Sequence, residues 1–146
     1  LVFIGKVGEG DPWTSVEGLS SLPNVHLIGP RSYDSLPAYL KAIDVAILPS
    51  KLNEYTKNMF PMKFFEYLAA GKPVVSTDLP ALQGYGHIAT LARSGDEFVF
   101  GIERALSLGS SDFDAFQDVA REMTYESRTR KMLALISNQI SKSPAQ

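Results

Sequence analysis

Residues 58–77 read NMFPMKFFEYLAAGKPVVST and join a helix to a strand. Phe60, Met62, Phe64, Phe65, Leu68, Ala69 and Ala70 have the character of a buried helix, Gly71 stops it, and Pro73-Val74-Val75 opens a buried strand. Pro61 suits the first helical position, where its missing N–H would be unpaired in any case. Within this apolar frame Lys63 and Glu66 are three residues apart and so share one helix face. One reading is a local ion pair, worth only roughly 0.2–0.5 kcal/mol. The other is a ligand site at a helix N-terminus, where free N–H groups and the helix dipole favour anions. The pair alone does not choose between them.

Composition narrows the field. The chain has 146 residues, 45% of them hydrophobic, which suits one globular domain with a full core. Lys and Arg number 14 against 16 acids, a net charge of -2, so bulk charge gives no reason to expect a nucleic-acid partner. With no cysteine there is neither a disulfide framework nor a thiolate metal site. The two histidines, His26 and His87, sit in separate strand-like runs and form no metal-ligand pattern. No apolar run approaches the roughly 18 residues needed to cross a bilayer. The first residues lack signal-peptide architecture and an initiator Met, and the chain reads as a piece of a longer protein. The expected location is the cytoplasm, with peripheral association at the inner face of the cell membrane left open.

Read for period, short apolar runs alternate with helical stretches. LVFI (1–4), VHLI (25–28), VAIL (45–48), PVVST (73–77) and HIATLA (87–92) are strand candidates. Most are continuous rather than alternating, as in strands covered on both faces. Helical segments are expected at 13–22, 34–43, 60–70, 95–108, 112–122 and 124–141, with Asp34 as N-cap of the second and Trp13 anchoring the first in the core. Residues 1–141 form the expected domain and 142–146 a disordered tail. The alternation argues for an α/β fold, a Rossmann-like parallel sheet of about five strands flanked by helices. Ligands of such sheets bind outside the carboxyl ends of the strands. The segments that follow the strands carry Lys6, Arg31, Lys51, Lys57 and Lys63, together with a turn containing Gly5, Gly8 and Gly10. Basic residues converging from separate loops point to a phosphate-bearing ligand. The glycine turn is neither a Walker loop nor a dinucleotide fingerprint, because the spacing and the residues that should follow are wrong. Asp78, at a strand's carboxyl end, is either a ligand contact or a helix cap, and Tyr85, between Gly84 and Gly86, belongs either to a plain turn or to a mobile loop beside the ligand.

NVHLIGPRSYDSLPAYLKAIDVAILPS (24–50), followed by PMKFFEYLAAGKPVVSTDLP (61–80), resembles the C-terminal, donor-binding domain of retaining glycosyltransferases with the two-domain GT-B fold, the group 1 type that builds bacterial polysaccharides. The likeness runs over about 1–137 and includes TYESRTRKMLALI (124–136), similar to the family's final helix. The resemblance implies a nucleotide-sugar donor and a glycan or lipid-linked acceptor, the latter bound by a missing N-terminal domain. Glu66 matches the glutamate that accepts hydrogen bonds from the ribose hydroxyls. Pro61-Met62 and the helix N-terminus would hold the diphosphate through backbone N–H groups, with Lys63 adding charge as the nucleoside diphosphate leaves. Pro30 and Arg31 would lie near the base, and the Gly8–Gly10 turn near the phosphates or the interdomain cleft. No metal and no cofactor are implied. The family's first glutamate stands eight positions before the second, where this chain has Asn58; Glu54, Thr56 and Asn58 are the residues left to handle the sugar. The resemblance also implies that the family's first βα unit of this domain is missing, so the chain alone is expected to turn over little. A non-catalytic or degenerate nucleotide-sugar-binding or interaction module is the alternative.

Overall fold

The computed structural model describes residues 1–8, 13, 15–109 and 111–142. Two compact units divide at residue 39/40, Leu1–Tyr39 and Leu40–Gln146. In the first, β1 (Val2–Phe3) and β2 (His26–Leu27) pair in parallel, Val2 opposite His26 and Phe3 opposite Leu27, with α1 (Glu17–Ser20) between them in sequence. A 3₁₀ turn, Tyr33–Ser35, leads into α2 (Leu36–Lys41), which spans the division between the units. Pro37 falls in the first turn of α2, where a missing N–H costs nothing.

The second unit is built on a parallel sheet of order β3-β4-β5, with β3 Ala46–Leu48, β4 Val74–Thr77 and β5 Thr90–Ala92. Ala46 faces Val74, and Val75 faces Thr90. Between β3 and β4 come α3 (Glu54–Asn58) and α4 (Met62–Ala69); a 3₁₀ turn, Pro80–Tyr85, precedes β5. Then follow α5 (Gly95–Leu106), α6 (Ser111–Glu122) and α7 (Tyr125–Lys142).

Helix α4 shows how sequence becomes packing. Phe64 and Leu68 are one turn apart and fully buried, so each withdraws roughly 1.5–3 kcal/mol of apolar surface from water. Phe116 and Ala120 of α6 complete that core with Val74, Leu79 and Leu82. The helix ends in a left-handed turn: Gly71 has φ +69°, its N–H donates to Leu68 O (2.9 Å), and Lys72 N–H donates to Tyr67 O (3.0 Å). That pair of bonds satisfies two carbonyls the last turn leaves open, and the positive φ favours glycine there. Val74, Val75 and Ser76 are buried, as a strand covered on both faces requires.

The α/β class with parallel strands and flanking helices holds, and among the described residues the strands number five, but in two sheets rather than one.

Several local expectations change. Pro61 is the N-cap of α4, with φ -77° and ψ 99°, and not its first helical residue. The helix expected over 13–22 is only Glu17–Ser20, and Trp13 is 92% exposed rather than a core anchor. Asp34 lies inside the 3₁₀ turn that Ser32 precedes, and Ser32 makes no side-chain cap. The last strand begins at Thr90, because 86–89 continue the turn after Tyr85. Lys142 ends α7, and 143–146 lie outside the described residues.

Candidate functional site

The parallel order of β3, β4 and β5 brings the segments after them to one edge of the sheet. After β3, Ser50 N–H donates to Thr77 Oγ1 at the end of β4 (3.0 Å), tying the first residues of the long connection to the neighbouring strand. The connection then forms α3, a helix that the apolar pattern alone does not reveal. Asn53 caps it: its Oδ1 accepts from Thr56 N–H (2.9 Å), and Thr56 Oγ1 accepts from Asn53 N–H (2.9 Å). The Thr56 hydroxyl also donates to Lys51 O at 2.6 Å. Thr56 is buried, and its hydroxyl is committed to holding this turn. The readable signal was Asn-x-x-Thr, a variant of the capping box in which threonine takes the place of the usual Glu or Gln.

The remaining α3 candidates bond within their own helix. Lys57 Nζ pairs with Glu54 Oε1 at 2.7 Å, both exposed, and Asn58 Nδ2 donates to Glu54 O at 2.9 Å. Asn58 therefore keeps its carbonyl oxygen and one amide N–H for other partners.

Met59–Pro61 carries the chain into α4 over a set of aromatic rings. Phe60 stacks on Phe65 (5.4 Å, 17°), and Phe65 meets Tyr85 edge-on (5.4 Å, 82°). Tyr85 ends the 3₁₀ turn, as a turn residue, and its ring packs on Phe64 and Phe65 of α4. Pro61 offers no side-chain cap, so the first N–H groups of α4 are left to other acceptors. Lys63 is exposed and Glu66 half-buried on one face of this helix. Among the described residues neither has an ion-pair partner, so the local Lys63–Glu66 pair does not form. Burial pushes the Tyr67 hydroxyl above its ordinary value of 10.0, and the Glu66 charge beside it adds to the rise.

At the ends of β4 and β5, Asp78 is clamped. Arg93 Nε donates to Asp78 Oδ2 at 2.8 Å, and Arg93 N–H donates to Glu97 Oε2 at 2.8 Å. Asp78 is thus neither a helix cap nor an isolated carboxylate. The hydrogen bond to Asp78, and then its charge, holds the Arg93 guanidinium still more firmly protonated. Sequence reading missed this pair, although its signal was present: opposite charges one residue beyond adjacent parallel strands.

The first unit holds the other candidates. Gly8 has φ +77°, and Gly10 lies outside the described residues. Arg31 Nε donates to Tyr39 Oη (2.8 Å), its Nη1 donates to Pro30 O (3.0 Å), and its guanidinium stands 5.9 Å from the Tyr39 ring centre. Among the described residues no three His, Asp or Glu side chains gather as a metal site. No helix among them is long and apolar enough to cross a membrane.

The second unit thus presents a parallel sheet with Lys63 and Glu66 on the helix between β3 and β4. The family profile described as Glycosyl transferases group 1 matches residues 1–107, and the chain belongs to that family. Over 67 residues the chain is 48% identical to a protein of Bacillus subtilis (strain 168) named as a teichuronic acid biosynthesis glycosyltransferase, TuaH. That stretch covers 46% of this chain and 17% of the relative.

Proposed function

We propose that this chain is the donor-binding domain of a glycosyltransferase that moves a sugar from a nucleoside diphosphate to a glycan or lipid-linked acceptor, with retention. The observation that carries the reading is the α4 face. Lys63 and Glu66 stand on it one turn apart, without ion-pair partners among the described residues, at the edge where parallel sheets bind ligands. A carboxylate offers two acceptor oxygens to a ribose cis-diol, while Lys63 and the open N–H groups of the first turn suit the neighbouring diphosphate. These groups act on the negative charge that builds as the nucleoside diphosphate departs, where stabilisation lowers the barrier. Met62 contributes backbone, and Gly8, Gly10, Pro30 and Arg31 are the further donor contacts in this reading. It assigns no metal and no cofactor. The acceptor is bound by a part of the protein outside these residues, and membrane association is peripheral.

A second reading, a non-catalytic nucleotide-sugar-binding or interaction module, draws on Asn58. That residue stands where the family has its first glutamate, it carries no charge, and one of its amide N–H groups is held by Glu54 O. The test is a titration of uridine and guanosine diphosphates followed by amide NMR shifts, on the chain and on Glu66→Ala. Shifts at 58–66 that weaken at least about tenfold in the variant are expected, the loss of one hydrogen-bonded carboxylate. Shifts indifferent to Glu66→Ala would overturn the assignment, and turnover by the full-length protein separates the two readings.

A further inference from the structure

A second concavity lies away from Lys63 and Glu66, with no α4 residue in its lining. It opens at the amino ends of β4 and β5, where Pro73 and Thr90 line it, as a half-open hollow of about 240 Å³. Ile88, Ala105, Leu108 and Phe116 supply an apolar floor, and His87 and Arg104 stand at its wall. Arg104 and His87 are the ionisable side chains of the lining, and no carboxylate accompanies them. Arg104 belongs to the last turn of α5, where a cation complements the helix dipole. That placement accounts for its presence but leaves its fork of donors unused. Among the described residues its guanidinium has neither an ion pair nor a side-chain hydrogen bond.

Size and chemistry select the occupant. A cavity of roughly 150 Å³ with apolar walls accepts benzene, whereas drug-sized ligands fill roughly 300–1,000 Å³. The space here suits a single ring with one substituent and is too small for a nucleotide sugar. An apolar floor with one guanidinium at the wall suits a planar oxyanion, which arginine can grip with two parallel N–H bonds. We propose that this pocket binds a small organic carboxylate, its apolar body on Phe116 and Leu108 and its anionic end on Arg104. Phe116 shares the core with Phe64 and Leu68 of α4, so the occupant rests against the packing that carries the other site.

The test uses benzoate and its neutral analogue benzamide as probes, with amide NMR shifts read on the whole chain and on Arg104→Gln, an exposed position whose replacement leaves the core intact. Millimolar benzoate is expected to shift residues 86–90 and 104–108 and to leave 62–66 unmoved. Benzamide and the Arg104→Gln chain should each bind about tenfold more weakly, the loss of one charge-assisted contact. No shifts with benzoate, equal shifts with benzamide, or binding unaltered by Arg104→Gln would each overturn the proposal. None of these outcomes depends on nucleotide binding at α4.

Discussion

Replacing Gly101 by alanine sets two opposing effects against each other. Gly101 is buried in the middle of α5, where alanine ordinarily gains about 1 kcal/mol over glycine by helix propensity. A Cβ at this position would lie 2.7 Å from Thr90 Cγ2 and 3.1 Å from Val75 Cγ1, with Thr90 Cβ at 3.3 Å. The first distance is far inside van der Waals contact, and both neighbours are strand side chains with restricted rotamers. Forcing a methyl into such a site costs about 1–3 kcal/mol, so the net change is a destabilisation of up to about 2 kcal/mol. Thr90→Ser removes the nearest methyl and costs about 0.8 kcal/mol alone. In the double variant the alanine methyl occupies the vacated space, and the two changes should couple favourably by about 1–2 kcal/mol. Urea unfolding of the four chains reads this cycle through the midpoints at constant slope. A stabilised Gly101→Ala chain, or strictly additive effects, would refute the claim that helix and sheet touch here without room for a carbon.

Two other expectations concern the rest of the second unit. Asn53→Ala removes the cap of α3 and should cost about 1 kcal/mol, with faster amide exchange confined to 54–58. Tyr67 gives a pH signature. Its hydroxyl holds its proton above 10.0 in the folded chain, so the folded state binds more protons than the unfolded once pH passes 10.0. Stability from this group is therefore whole below that pH and declines above it. Tyr67→Phe should flatten the fall of the melting temperature between neutral and alkaline pH; an unchanged slope would mean that Tyr67 contributes nothing to it.

Much of this was legible in the residues themselves. The continuous apolar runs gave parallel strands, and Phe64, Leu68 and Gly71 announced a buried helix with a left-handed stop. What escaped were features that depend on tertiary neighbours or on short polar reach. Helix α3 is five residues long, too short for an apolar period, and rests on a reciprocal side-chain cap. The Asp78–Arg93 pair joins residues 15 apart in sequence and exists because β4 and β5 run side by side. Trp13 misled because a large apolar side chain after Asp-Pro suggested an anchor, whereas its exposure shows it packs little. At the site, the helix face was readable from spacing and the cap that engages Thr56 from Asn-x-x-Thr, but the hydrogen bond that turns Asn58 onto Glu54 O was not.

Helix α4 is pinned by a proline-led entry and a left-handed exit, with the core on one flank and Lys63 and Glu66 on another. A rigid rod of eight residues behaves as a spindle: turning one flank turns the other by the same angle. Exchanges of bulk at Phe64 or Leu68 should thus register as altered ligand affinity even where they leave the fold standing. The interior of this unit and the chemistry at its edge are two readouts of one rotation.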